Sequence, residues 1–427
     1  MISQWASTTF RALQNPGYRV LWLGSTLAFL AFAMMSVVQG VVAYDLTGRN
    51  GSVGAVAVGM GVATLLLAPF GGVLADRVSK RLLLLIGQTT IGVSFLAVAL
   101  LITTGHITIL YLALSTFVMG AVFSFIGPAR QAWIGEILPG PAMSNGIALQ
   151  QLAMTSTRIF GPFLAGIIIS IGFLGTSGTY YLMAGLFVFV VATLALVPGG
   201  RVSRKSAGTS ILGDMKLGVD HLRERPRLML LAVAFILFIV AGFSYQTLLP
   251  GYLKNSLGED TGKLALLYGL SAIAGLVATI GLAGMSDSRH AFAMMLVAGL
   301  LMAVALALLA VSPNLLAAIG AMMLVGVASS SYQLLNNSLL MQEADSKYHG
   351  RVMSVVMLAW GFNGLVAYPF GLLADAVGER ETLALMAGLV LTVSAITFAW
   401  YTMVSRRQVA AITNAPAVDA PAGIGGA

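Results

Sequence analysis

An all-helical membrane protein with twelve spans in two six-helix halves is the fold this sequence predicts, and three observations predict it. Of 427 residues, 58% are hydrophobic and 9% charged, with a mean hydropathy of +0.92, whereas a soluble domain carries about 25% charged residues. Apolar runs recur along the chain, each reaching the roughly 20 residues that a bilayer crossing requires. Polar landmarks also recur between the first and second halves at a nearly constant offset.

The runs fall at 18–43, 52–74, 82–104, 107–127, 144–173, 176–197, 228–253, 262–285, 291–311, 314–340, 350–376 and 381–404. They are too long and too unalternating for barrel strands, and a lipid-exposed backbone must satisfy its own hydrogen bonds, so each is a helix. Before the first lies "MISQWASTTFRALQNPGYR", which lacks the basic start, short apolar core and cleavage site of a signal peptide. It reads as an amphipathic lead-in along one membrane face. The longest connection, "PGGRVSRKSAGTSILGDMKLGVDHLRERPR", divides the spans six and six. Its Gly/Ser-rich start is a linker and "GDMKLGVDHLRE" a surface helix. The predicted units are thus 1–197, a linker at 198–227, 228–404, and a disordered tail at 405–427 ending "NAPAVDAPAGIGGA".

Lys and Arg fix an expected orientation. Eighteen lie on the side that holds both termini, Arg130 in the loop after span 4 among them; Arg49, Lys254, Lys263 and Arg380 lie opposite, and Arg158 lies within span 5. The positive-inside rule makes the termini cytoplasmic, in a bacterial-type plasma membrane.

The composition also excludes functions. With no cysteine, disulfide scaffolds, thiolate metal sites and cysteine nucleophiles are absent. His106, His221, His290 and His349 form no HxxxH pair, so no metal is expected. No GxxxxGK[ST] loop is present, so ATP is not expected to drive the protein, and no cofactor is implied. The +8 charge is not clustered with aromatics, which argues against nucleic acid.

The repeat places Gln39 on Gln246, Glu136 on Glu343 and Pro162 on Pro369 at an offset of 207, and Asp76 on Asp287 at 211. Two parallel six-helix repeats are a known transporter architecture. One short loop carries a distinctive pattern: "GGVLADRVSKR", Gly71 to Arg81, between spans 2 and 3. Gly71 and Gly72 let helices approach. Asp76 faces a helix N-terminus, while Arg77, Lys80 and Arg81 pair with carboxylates of the opposite half. Such contacts form in one conformation and break in another.

This loop resembles the signature of the major facilitator superfamily, Gly-x-Leu-Ala-Asp-Arg-x-Gly-Arg-Arg, at Gly72, Leu74, Ala75, Asp76, Arg77, Lys80 and Arg81, with Ser79 in place of a glycine. "VVAYDLTGRNGSVGAVAV", "GPARQAWIGEILP" and "RIFGPFLAG" resemble the enterobactin-exporter and macrolide-efflux-like branch. Gly161, Pro162 and Gly166 resemble the fifth-helix antiporter motif, which implies a hinge, with Pro369 its repeat. The resemblance implies secondary transport by alternating access, with Asp76, Arg77, Lys80, Arg81, Glu136, Asp287 and Glu343 as gate charges. Many proton-coupled drug antiporters of this superfamily carry a buried arginine in span 4, where this chain has Thr116.

Arg158, an intramembrane ion, is a functional candidate by default. It holds an anionic or carbonyl-bearing substrate, clamps a gate, or makes an interhelical hydrogen bond. With spans 1, 4, 7 and 10 lining the cavity, as the resemblance implies, the candidates there are Gln39, Phe117, Phe123, Tyr245, Gln246, Tyr332, Gln333, Asn336 and Asn337. Amides bond varied substrates, and Met34, Met35 and Met119 adapt to shape. No Asp or Glu lies at mid-membrane, which leaves Asp45 as the candidate proton carrier. The expectation is proton-coupled efflux of a small amphiphilic molecule, drug- or siderophore-like, by a lipid-embedded monomer. An importer or lysolipid flippase of the same fold, or a sensor without flux, are the alternatives.

Overall fold

The structure, a computed structural model, describes residues 11–138, 140–197, 211–285, 288, 290–345 and 348–413; for 69, 71–77, 141, 211–216, 218, 283, 350–351 and 404–413 it describes the backbone alone. Spans 1 to 6 are Pro16–Thr47, Asn50–Arg77, Lys80–Thr103, Ile109–Ile137, Pro141–Ser170 and Gly175–Leu196. A linker helix, Ile211–Glu224, precedes span 7, which runs as Pro226–Phe243 and Tyr245–Gly251. Spans 8 to 12 are Leu264–Leu282, Ala291–Val311, Leu315–Glu343, His349–Val377 and Glu379–Thr413. Among the described residues, twelve helices are long and apolar enough to cross a membrane.

Local chemistry sets many of the ends. Asn15 caps span 1 ahead of Pro16, and Ser79, Thr108 and Asn314 cap spans 3, 4 and 10 through their side chains. Span 1 closes on Gly48 at φ 66°, a left-handed conformation that glycine adopts without steric cost. Large apolar side chains such as Phe173, Val188, Ile280 and Leu316 point outward and are exposed, which a lipid surround makes favourable.

The two halves pack by one pattern. Spans 2 and 4, 3 and 6, 1 and 5, and 1 and 6 are neighbours in the first half; 8 and 10, 9 and 12, 7 and 11, and 7 and 12 are their counterparts. Even single contacts repeat: Gly120 of span 4 lies against Met60 of span 2, and Gly326 of span 10 lies against Ser271 of span 8. The halves meet along spans 2 and 11 and along spans 5 and 8, again a symmetric exchange.

Several details differ from the sequence reading. Span 4 continues to Ile137, because Pro128, Arg130 and Gln131 lower its hydropathy without ending the helix. Arg130 therefore lies inside the span, about 10 Å short of its end at 1.5 Å per residue, rather than in the following loop. The helix of span 12 runs on through Arg406 and Arg407 to Thr413, so 405–413 is helical rather than disordered: nothing before "NAP" breaks it. The rest of the tail, the start of the linker and Asp287 lie outside the described residues. The lead-in is described only from Arg11, as one turn whose Ala12 amide donates to Asn145 Oδ1 at 2.9 Å.

Candidate functional site

Two faces are distinguished here: the terminal face, where residues 11 and 413 lie, and the far face opposite. At the terminal face, the Lys80 ammonium, 3% exposed, meets Glu136 Oε1 at 2.5 Å, and Arg81 donates to the carbonyl of Ala195. Both of these contacts stay within the first half, with the end of span 4, one helix away, supplying a carboxylate to Lys80. Glu343 behaves likewise. It lies 3.9 Å from Arg227, while Arg225 reaches Asp345 at 2.7 Å and the Glu343 carbonyl at 2.9 Å, all within the second half. Gly72, Asp76 and Arg77 fall where the backbone alone is described, at the end of span 2.

At the far face the halves are tied together. Asp375 of span 11 accepts the Asn50 amide at 2.7 Å on one oxygen and the Gly51 amide at 2.9 Å on the other. A carboxylate thus caps the N-terminus of span 2, where unpaired N–H groups and the helix dipole favour negative charge. Beside it Glu379, 6% exposed, accepts from Asn50 Nδ2 at 3.0 Å and from Asn255 Nδ2 at 2.7 Å. Gly251 lies close below: a Cβ there would lie 2.3 Å from Asn50 Oδ1 and would push that side chain out of its bonds. Arg380 secures the same corner through the carbonyls of Ala310 and Ser312 at 2.9 and 2.8 Å.

Asp375 and Glu379 escape the sequence reading, although a signal exists. "PFGLLADAVGER" from Pro369 repeats most of "PFGGVLADRVSKR" from Pro69, so the same Leu-Ala-Asp ends a span at each face.

The hinge candidates lie at the seam. Gly161 packs on Ala33 and Met34 of span 1, while Gly166 packs on Ala265 and Phe163 on Gly269, both of span 8. Pro162 is buried between them. Pro369 follows Ala367 and Tyr368, whose backbone touches Gly54 of span 2.

These contacts orient Arg158. At about 100° per residue, its position projects between the face that Gly161 presents to span 1 and the face that Phe163 and Gly166 present to span 8. Gln151 and Thr155 project the same way at helical spacing, and Gln151 and Arg158 are exposed. Arg158 has no hydrogen-bond or ion-pair partner among the described residues. A polar stripe at i, i+4 and i+7 is the available signal for Gln151 and Thr155, and it leads toward the buried Pro162.

The other candidates divide. Gln39 and Asn337 are half-buried with an unpartnered side-chain oxygen each, and Gln246 is exposed. Phe117 is half-buried, and Gln333 donates to the Ser329 carbonyl at 3.2 Å. Tyr245 is 4% exposed, and Tyr332, 3% exposed, stacks on Phe238 at 3.6 Å. Asn336, 0% exposed, donates to the Leu231 carbonyl at 3.2 Å inside the second half. The last three serve packing here rather than a cavity wall, as do Met34, Met35 and Met119, which are all buried. Asn336→Leu is accordingly expected to lower stability by roughly 0.5–1.5 kcal/mol, a net hydrogen bond, and to leave substrate selectivity unchanged. Thermal unfolding and flux of the variant check both.

Phe123 packs on Phe32 at 4.8 Å and lines a small cavity inside the first half with Phe29, Gln88 and Arg130. Asp45 is exposed at the far end of span 1, near Lys254 and Asp260.

The profile of the Major Facilitator Superfamily matches residues 21–368. The chain is similar to the Staphyloferrin A transporter of Staphylococcus aureus (strain NCTC 8325 / PS 47), 23% identical over 329 residues, 76% of this chain and 81% of that protein. It is also similar to the Quinolone resistance protein NorA of Staphylococcus aureus (strain N315), 26% identical over 147 residues, 34% of this chain and 37% of that one. A crystal structure of the nucleoside transporter NupG shares the fold at a TM-score of 0.73 and 15% identity, over 90% of this chain and 99% of that chain. With a profile that covers most of its length and twelve spans in two matching halves, this chain belongs to the Major Facilitator Superfamily and is a transporter, not an enzyme.

Proposed function

We propose that the protein exports a small amphiphilic compound, drug- or siderophore-like, from the cytoplasm by alternating access, against inward proton flow. The observation that carries this reading is the polar stripe of Gln151, Thr155 and Arg158, with Gln151 and Arg158 exposed, on a span at the seam whose halves Asp375, Glu379 and Asn50 join at the far face. A solute that reaches Arg158 from the terminal side meets a barrier held by a handful of hydrogen bonds. Rocking the two halves, 1–197 and 228–404, breaks that barrier and brings the terminal-face helices together. The excess of Lys and Arg makes the terminal face cytoplasmic, so the conformation described here is the one that loads cargo from inside. The similarity to a staphyloferrin transporter and to a quinolone resistance protein supports export of amphiphilic cargo. Asp45, at the far end of span 1, is the proton carrier in this scheme, and the protein works as a monomer in the plasma membrane.

The test is flux in proteoliposomes with an imposed pH gradient, using a panel of hydrophobic antibiotics, iron-free siderophores and lysolipids. Accumulation driven by the gradient, and lost when it is collapsed, is the expected result; binding without movement overturns the reading. Arg158→Gln is expected to cut flux at least roughly tenfold, the worth of one charge-assisted hydrogen bond, without lowering the amount of folded protein. Unchanged flux would remove Arg158 from the path.

A further inference from the structure

Deep in the membrane-spanning part of the chain, fixed charge has one sign. Every Asp and Glu of the twelve spans, from Asp45 in span 1 to Glu381 in span 12, stands within two residues of a helix end. Arg158, by contrast, lies about 18 Å from the nearer end of span 5 at 1.5 Å per residue. No other charged residue stands in that helix. Span 8, which packs on span 5 across the seam, reads "LALLYGLSAIAGLVATIGL" and holds no charge at all. The chain thus places a cation at mid-membrane and no carboxylate at the same depth.

The rest of the stripe is equally unsatisfied. Thr157 returns its hydroxyl to the Ala153 carbonyl at 2.9 Å, as Thr90 and Thr103 do to the carbonyls one turn before them. Gln151 and Thr155, like Arg158, make no hydrogen bond with any described residue. Such groups left in hydrocarbon cost several kcal/mol each, so the stripe faces water or a polar solute. To that solute it presents five guanidinium N–H donors, an amide N–H₂, a hydroxyl and one uncompensated positive charge. A singly charged oxyanion answers this set, since its two oxygens accept parallel bonds from the guanidinium fork. An ammonium finds only repulsion, undiminished by any carboxylate and less screened than in water.

We propose that the cargo is an amphiphilic organic anion, and that Arg158, with Gln151 and Thr155 beside it, binds its carboxylate or phosphodiester. That the anion is the cargo rests on the export reading; that the stripe binds it does not. The anion is either a soluble carboxylate or an anionic lysolipid, and the chemistry recognised is the same. Cationic amphiphiles are excluded.

The test is equilibrium titration calorimetry on the whole purified protein in neutral detergent, with no gradient. Two series serve as probes: phenylbutyrate, phenylbutanamide and phenylbutylammonium, and naphthylacetate, naphthylacetamide and naphthylethylammonium. In at least one series the carboxylate is expected to bind at least roughly tenfold more tightly than its amide, with the ammonium weakest. Lysophosphatidylglycerol that displaces the carboxylate, where lysophosphatidylcholine does not, assigns a lysolipid; displacement by neither assigns a soluble anion. Arg158→Gln is expected to bring acid and amide to about equal affinity, and Arg158→Lys, which keeps the charge without the fork, to fall between. Arg223→Gln, which removes an exposed charge from the linker helix, leaves the preference as it is. Should Arg158→Gln fail to fold, Thr155→Asp decides the matter: a carboxylate three residues before Arg158 pairs with it and is expected to abolish the preference for acids. Equal binding of acid and amide in both series, preference for an ammonium, no binding of any probe, or a preference that survives Arg158→Gln or Thr155→Asp overturns the proposal. Carboxylate binding without gradient-driven flux in proteoliposomes overturns the export reading and leaves the anion site standing, whereas flux of neutral or cationic cargo without a preference for acids does the reverse.

Discussion

Asp375→Ala is expected to open the far face. The substitution deletes both carboxylate bonds to the Asn50 and Gly51 amides, at 2.7 and 2.9 Å, and leaves the N-terminus of span 2 uncapped. Hydrogen bonds to a charged group are worth about 1.5–3 kcal/mol each net, so losing one moves the equilibrium between far-closed and far-open states by roughly 10- to 100-fold, and losing both moves it further. Asp375 makes these bonds across the seam between halves, so the loss falls on the conformation and not on the fold of either half. The chain has no cysteine, which allows a single reporter at Ala367, 2% exposed and packed on Gly54 in the closed seam. Labelling by a membrane-impermeant maleimide from the far side is expected to accelerate at least roughly tenfold in Asp375→Ala. An unchanged rate would show that another contact holds the seal. Asp375→Asn keeps one acceptor and loses the charge, and is expected to fall between the two.

The fold is legible because lipid imposes a simple rule: every spanning segment must be helical and apolar outside, and each of the twelve runs announces itself by hydropathy alone. The ends are less legible. Hydropathy stops span 4 at residue 127, yet the helix runs to Ile137, because buried polar residues such as Arg130 lower hydropathy where the helix is covered by its own bundle rather than by lipid. The same blindness affects the site. Asp375 and Asn50 are joined across 325 positions, and no periodicity within one span reveals a partner in another half. Asn336 and Tyr332 are candidates for the cavity because amides and aromatics are what cavities use, yet the same side chains serve a bundle interior: Asn336 bonds to the backbone of span 7 and Tyr332 stacks on Phe238. Composition does not distinguish those faces; the rotation of the helix does. Arg158 is legible as a candidate for another reason, a charge inside an apolar run, while Gln151 and Thr155, which share its side of span 5, carry no charge to draw attention.

Two glycines separate what moves from what does not. Gly364 of span 11 sits on Gly61 of span 2, where an added Cβ would lie 2.7 Å from the Gly61 Cα. That contact joins the halves. Gly326 of span 10 sits on span 8, where an added Cβ would lie 1.9 Å from the Ser271 carbonyl oxygen. That contact lies within one half. Both substitutions force backbone apart, a strain of typically about 1–3 kcal/mol and sometimes more, yet they differ in how the strain is relieved. Rocking relieves a clash between halves, so Gly364→Val is expected to yield folded protein with the Ala367 reporter labelled from the far side and with transport lost. No rocking relieves a clash inside one half, so Gly326→Val is expected to reduce the amount of folded protein severalfold or to lower its Tm by several degrees. Fluorescence-detected size exclusion and maleimide labelling measure the two outcomes. If Gly364→Val unfolds the protein as Gly326→Val does, the seam between spans 2 and 11 is a fixed interface, and the barrier at Asn50 and Asp375 is part of the fold rather than a gate.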